Sequence, residues 1–322
     1  MIKYFIGPMS KNVVDSVKDF TNETGINIGF IPSRRQISYN GGYVNNWTTQ
    51  KFREYSKDSF IVRDHGGPGQ GSVDDDGYES LIHDCRYFDV IHIDPWKKYA
   101  SYDDGLSWTI DMINFCYERN ENVLFEVATE QSIRNFTPGE LKRLLGDLQN
   151  SLHSDKFENI KYCVIQSGTS LKENCNTGEY DKDRLVSMVS VVKDFGLLTK
   201  EHNGDYLPVD LIREKFDLGL DCINIAPEFG QIETKTYLRH IIDNQRADLL
   251  YLYWDICYNS RKWEKWVDDS FDPVSKKIDL INICGHYVLS NKDFIYKIKG
   301  QIPDIDKKIK ENIVNKLRDL CG

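Results

Sequence analysis

The sequence predicts an α/β protein built as a (β/α)8 TIM barrel with a C-terminal helical extension. Three observations lead there. Eight short apolar segments recur as far as the stretch "NIAPEFG", helical stretches separate them, and beyond that point the alternation gives way to helices alone. Strand followed by helix eight times over is the pattern of a closed parallel barrel, with an open doubly wound sheet as the alternative.

The segments are, in order, "KYFIG" (3–7), "INIGFI" (26–31), "SFIVRD" (59–64), "DVIHID" (89–94), "NVLFEV" (122–127), "KYCVIQ" (161–166), "FGLLTKEH" (195–202) and "DCINIA" (221–226). Each is a short apolar run of the kind that a parallel strand buried on both faces requires. The stretches between them, such as "SKNVVDSVKDFTNE" and "TPGELKRLLGDLQNSL", carry helical periodicity and start signals: Ser10 for the first, and Thr137 followed by Pro138 and Glu140 for the second. The tail reads as helices in "KTYLRHIIDNQ", "LLYLYWDICYNSRKWEKWV", "KIDLINICGHYVL" and "IDKKIKENIVNKLRDL". The resulting division is a barrel over 1–240 and a helical extension packed on it over 241–322.

Composition narrows the function classes. A chain of 322 residues, 40% hydrophobic and 28% charged, buries a substantial core. Its formal net charge of −9, without a large Lys/Arg cluster, argues against nucleic acid as a partner. The opening "MIKYFIGPMSKN" is too brief for a signal-peptide core, and "LLYLYWDICY" contains an Asp and falls short of the ~20 residues that cross a bilayer. A cytoplasmic protein with no membrane partner is expected. Eight cysteines without a CxxC pair read as free thiols of a reducing compartment.

Barrel chemistry sits at the carboxyl ends of the strands. That rule collects Asp64 and His65, His92 and Asp94, Glu126 and Glu130, Gln166, His202 and Asn224 on one face. Asp64 and His65 precede "GGPGQG", four glycines within six positions, which gives a ligand access and leaves backbone amides free. His92 alternates with Ile91 and Ile93, so it shares a face with Asp94 but lies deeper, and it reads as a satisfied core histidine. Two imidazoles, His65 and His202, with Glu130 or Glu126, suit a borderline divalent ion such as zinc with an open position for substrate. Asp94 is placed to orient a ligating imidazole. Such an ion would polarise a carbonyl and stabilise an enediolate, with Asp64 carrying the proton.

"SRRQISYNGGYVNNWTTQKFREY", "RDHGGPGQG", "IHID", "EVATE", "VIQSGTS", "EHNGDY" and "INIAPEFG" occur in strand-end order, and "YVLSNKDFIYKI" and "IVNKLRDLCG" close the chain. In these the sequence resembles the accessory, so-called non-catalytic, subunits of tagatose-1,6-bisphosphate aldolase, which are related to class II ketose-bisphosphate aldolases. The resemblance implies a (β/α)8 barrel with a class II aldolase-like site. It matches Asp64 to the proton-transfer acid, His65 and His202 to metal ligands, and Glu130, with Glu126 close by, to the fifth-strand glutamate. Gln166 stands where catalytic relatives have a further histidine, and "SRRQI" departs from the family's pattern by adding Arg34 and Arg35 beside Gln36. Arginine's planar fork suits a phosphate or carboxylate.

The function expected is therefore metal-dependent carbon–carbon bond cleavage or formation on a phosphorylated or acidic ketose. Arg34, Arg35, Gln36, Asp94, Gln166, Asn203, Gly204 and Asn224 are the residues expected to bind substrate. Two alternatives stay open: a non-catalytic subunit stabilising a partner aldolase, and an isomerase or epimerase using the same enediolate. The partners are a sugar-phosphate or acidic-sugar substrate and, beside it, a catalytic aldolase subunit or further copies of the chain.

Overall fold

In the computed structural model, which describes residues 1–172 and 175–322, all eight apolar segments become strands. They are β1 (Tyr4–Ile6), β2 (Gly29–Phe30), β3 (Val62–Gly66), β4 (Val90–Ile93), β5 (Leu124–Val127), β6 (Ile160–Ile165), β7 (Leu198–Glu201) and β8 (Cys222–Ile225). The sheet runs β2–β1–β8–β7–β6–β5–β4–β3 with every pairing parallel. Single bridges between Phe30 and Ile61 and between Ser33 and Asp64 join β2 to β3, so the sheet nearly closes on itself. A short antiparallel ribbon, Leu171–Lys172 with Cys175–Asn176, follows β6.

Helices follow the strands around the outside, and the expected start signals act. Ser10 accepts from the Val13 amide at 3.1 Å, and Thr137 with Glu140 closes a capping box behind Pro138. The large apolar cluster lies between strands and helices. A smaller one, Phe5, Ile31, Val62, Val90, Tyr162 and Cys222, is made of side chains from five strands and from Ile31 just beyond β2, and floors the barrel interior.

Alternation along the strands decides what lies toward the carboxyl ends. Positions in step with Val90 are His92 and then Asp94; in step with Cys222 comes Asn224. Lys200 pairs in register with Cys222, and Glu126 with His92. The interior thus passes from an apolar floor through buried charge to a polar mouth.

Two expectations needed correcting. The third strand runs through Gly66 rather than stopping at residue 64, because its register on β4 shifts between Arg63 and Gly66. The stretch "LLYLYWDICYNSRKWEKWV" is not one helix: Ala247–Ser260 is helical, Arg261 takes a left-handed conformation (φ 54°), and only a 3-10 turn, Glu264–Trp266, follows. Trp263 seals that stop by donating its indole N–H to Tyr258 O at 3.1 Å. The remaining tail helices are Lys277–Cys284, Lys292–Lys297 and Ile305–Cys321. The last packs on Lys11–Thr24 and Pro227–Asp243, and Tyr4 Oη donates to Leu320 O at 2.7 Å, tying the tail to β1.

All eight cysteines are free thiols. No helix among the described residues is long and apolar enough to cross a membrane.

Candidate metal and substrate site

Three imidazoles meet at the carboxyl end of the barrel. The ring centroids of His65, His92 and His202 are 5.1 Å apart in every pairing. Asp64 joins them, and one donor atom from each of the four residues lies within 4.8 Å of all the others, a cluster that could hold a metal ion.

Regular alternation would send Asp64 and His65 to opposite faces of β3. The register shift and a left-handed His65 (φ 46°) remove that constraint. Gly66 permits the tight return: a Cβ there would sit 2.7 Å from the His92 carbonyl oxygen. Positive φ recurs at Ala128 and Asn203, after β5 and β7, so the backbone is strained around the mouth on three strands.

Each imidazole has one nitrogen fixed by an acceptor. His65 Nδ1 lies 2.6 Å from Asp94 Oδ2, His202 Nε2 2.7 Å from Glu126 Oε1, and His92 Nε2 2.8 Å from Ala128 O. Carboxylates and carbonyls accept, so these nitrogens donate, which leaves the opposite nitrogens of His65 and His202 turned toward Asp64. His65 Nε2 and His202 Nδ1 then lie 3.6 and 3.7 Å from Asp64 Oδ1, while His92 Nδ1 accepts the His65 backbone N–H at 3.3 Å and lies 3.9 Å from Glu126 Oε1. Fixing one ring nitrogen on a carboxylate or carbonyl so that the other faces a common point is how proteins orient metal-binding histidines. Three such nitrogens and a carboxylate suit a zinc-like ion.

Electrostatics follow the same plan. Burial acts to lower the His65 imidazole, but Asp64 and Asp94 outweigh it and raise it to about 10, so a metal ion bound there would have to displace the proton on Nε2. Burial keeps His92 below its ordinary value. For Asp94 burial works upward, and the hydrogen bond and charge of His65, with His92 and the Trp96 amide, together more than reverse it. Asp94 also accepts from Thr129 Oγ1 (3.1 Å) and the Trp96 amide (3.2 Å), which fixes the carboxylate that fixes His65.

A cavity of about 330 Å³ opens over the cluster, its lining including Asp64, His65 and His202 together with Arg35, Gln36, Glu130, Asn203 and Asn224. The whole chain superposes on solved structures. A probable tagatose 6 phosphate kinase from Sinorhizobium meliloti 1021 matches with a TM-score of 0.77 at 13% identity over 99% of each chain. The YdjI aldolase from Escherichia coli K12 matches at 0.60 and 11% identity over 99% of this chain and 91% of its own. The fructose-bisphosphate aldolase of Campylobacter jejuni matches at 0.55 and 11% identity, over 99% of this chain and 90% of its own. The chain has an aldolase-like barrel fold. At these identities the likeness is one of fold, and neither a protein-family model nor a curated protein matches the sequence.

Within this aldolase-like barrel the residues singled out from sequence divide into three groups. Asp64, His65 and His202 are in the cluster. Arg35, Gln36, Glu130, Asn203 and Asn224 face the cavity, with Glu130 held by the Asn203 amide and by Ser132 Oγ (2.6 Å). Asn224 is buried, and neither its amide nitrogen nor its oxygen has a partner among the described residues. Asp94 and Glu126 lie behind the imidazoles.

The third group is occupied elsewhere. Arg34 donates to Gly67 O (2.7 Å) and to Asp75 Oδ1 (2.8 Å), closing the glycine-rich loop on itself. Gln166 donates to Thr129 O and Arg134 O, both at 2.7 Å, and accepts from the Phe136 amide and Arg184. The Gly204 amide donates to Asn224 O at 2.9 Å. His92, read from the sequence as a satisfied core histidine, is fully buried with both ring nitrogens in hydrogen bonds, and it also falls within the cluster. Its position two residues before Asp94, on the same strand face, was the available signal.

Proposed function

We propose that the chain carries out metal-dependent aldol chemistry, cleaving or forming a carbon–carbon bond in a phosphorylated or acidic ketose. One observation carries the reading: His65, His92, His202 and Asp64 bring one potential ligand atom each within 4.8 Å of all the others beneath a polar cavity. His65, His92 and His202 would hold a divalent ion of the zinc type. When bound, that ion supplies Lewis-acid polarisation of the ketose carbonyl.

The protein's own groups do the rest. Asp64 lines the cavity and serves as the base. In the cleavage direction it takes the proton of the hydroxyl β to the carbonyl as the carbon–carbon bond breaks and its electron pair passes to the carbonyl fragment, which then takes a proton back. Gln36, Asn203 and Asn224 offer amides to the sugar hydroxyls, and Arg35 offers a charge to an anionic end. Glu130 reaches the substrate beside Asn203, which it holds.

The test uses the full chain with tagatose 1,6-bisphosphate and fructose 1,6-bisphosphate, following triose-phosphate release, together with zinc affinity by calorimetry. The wild type should bind zinc and release triose phosphate. His92→Ala should lose both. Asp64→Asn should keep zinc and lose turnover by ~10²-fold or more. If Asp64→Asn loses the metal instead, Asp64 is a ligand and the proposed base is gone. An epimer formed without triose phosphate would make the chain an epimerase. Absence of zinc binding with no turnover would leave the accessory-subunit reading standing.

A further inference from the structure

The turn after Arg261 brings Lys265 and Trp266 to the wall of the cavity that holds Asp64, His65 and His202. Arg35, beyond β2, and Lys97, beyond β4, line the same cavity. A second cleft of about 650 Å³ shares Arg35, Tyr43, Lys265 and Tyr287 with it and adds Lys262.

Lys262 and Lys265 both stand over the Tyr287 ring, their ammonium nitrogens 5.8 and 5.1 Å from its centroid. Lys262 Nζ also donates to Tyr287 O (3.3 Å), Lys97 Nζ to Gly69 O (3.0 Å) and Arg35 Nε to Gly71 O (3.3 Å). These contacts orient the cations without cancelling their charge. Among the described residues, no carboxylate forms an ion pair with Arg35, Lys97, Lys262 or Lys265. Glu264, the acid of the second cleft, pairs with Arg261 at 2.7 Å.

A chain with 50 acidic and 41 basic residues has partners to spare, yet four cations gather here with no ion-pair partner among the described residues. Their mutual cost is visible at Lys265: withdrawal from water within the cleft lowers its amine, and Arg35, Lys97 and Lys262 add to that, down to about 7. An anion relieves such repulsion, and a doubly charged one relieves it more than a carboxylate does.

We propose that Arg35, Lys97, Lys262 and Lys265 form a subsite for a dianionic phosphate group of the sugar. The proposal rests on the reading of the cavity as the sugar site. It gives the C-terminal extension a part in recognition, because two of the four cations come from the turn that interrupts its helices.

The experiment titrates inorganic phosphate into the full chain, following heat or intrinsic tryptophan fluorescence, since Trp266 adjoins Lys265. Lys97→Met and Lys265→Met remove the charge while keeping an unbranched side chain, and should each weaken phosphate binding by about tenfold, the equivalent of one charge-assisted contact. Lys265→Arg should retain binding, as should His65→Ala, which separates this subsite from the imidazole cluster. Unchanged affinity in a Lys97→Met, Lys265→Met double variant overturns the proposal, as does loss of phosphate binding in His65→Ala alone. Lysine-dependent phosphate binding in a chain that neither binds zinc nor turns over sugar would keep the subsite and sink the aldol reading.

Discussion

Glu126 Oε2 meets Lys200 Nζ at 2.7 Å inside the barrel, with both side chains fully buried. The other oxygen of Glu126 holds His202. Burial acts to raise this carboxyl, but Lys200, then His92 and His202, hold it well below the usual carboxylate range. Lys200 also lies 4.1 Å from the centroid of the Phe5 ring, where the charged layer meets the apolar floor. The pair therefore fixes a ring of the cluster from within the core.

Glu126→Gln removes the charge that orients His202 and leaves Lys200 buried without a counter-ion. Zinc affinity should fall about 10–100-fold, as for other groups that position a ligating histidine. Isothermal titration checks it, and an unchanged affinity would remove His202 from the ligand set.

Arg63 and Asp84 form the corresponding pin outside the barrel. The guanidinium donates to both carboxylate oxygens, at 2.8 and 2.7 Å, and to the carbonyls of Pro32 and Ile37, at 2.8 and 2.9 Å. It thus ties β3 to the helix Tyr78–Tyr87 and to the chain leaving β2, beside the weakest seam of the sheet. Asp84→Ala leaves a buried cation unpaired and should cost about 3–5 kcal/mol in urea unfolding. A loss below about 1 kcal/mol would show that water reaches the site.

Most strands were legible because a parallel strand buried on both faces is usually an apolar run, although Leu198–Glu201 carries the fully buried Lys200 and Glu201. The end of β3 was not, since the shift beyond Arg63 depends on how Gly66 meets β4. Asp64 and His65 stood out beside their glycines. His92 was read as a satisfied core residue and is fully buried, with its ring nitrogens on Ala128 O and the His65 amide; a sequence cannot show that this ring also meets His65 and His202. Nor could it show that Asp75 would occupy Arg34, or that the turn at Arg261 would return Lys265 to a barrel mouth formed far earlier in the chain.

Binding of anions should depend on pH through Lys265. Its amine is lowered from 10.5 to about 7, and an anion needs the protonated form. Facing it are Arg35, Lys97, Lys262 and Tyr287, with Glu130 across the same cavity. Burial also lowers Lys97 and Lys262, so their charge fades in the same direction. Sulfate stays dianionic from pH 6 to 9 and is the suitable probe. Its affinity should be highest below pH 7 and fall as pH rises through 7, with proton uptake on binding in that window. Lys265→Met should flatten most of the dependence. A wild-type affinity that rises with pH would contradict the assignment.

Asn224 makes the sharpest separation between binding and folding. It follows the floor residue Cys222 on the inward face of β8, lines the cavity, and has no protein partner for its amide among the described residues. An amide serving the fold would be tied down as Gln166 is, through four hydrogen bonds. One left open toward a sugar is placed to recognise hydroxyls. Asn224→Leu preserves volume and deletes no protein hydrogen bond of that side chain, so stability should stay within about 1 kcal/mol of the parent. Sugar-phosphate affinity should drop about tenfold or more, because a hydroxyl then enters the site without its partner. Equilibrium unfolding and ligand titration on the same preparation decide the matter. A variant that unfolds early yet binds the sugar normally would show that Asn224 serves the barrel and not the ligand.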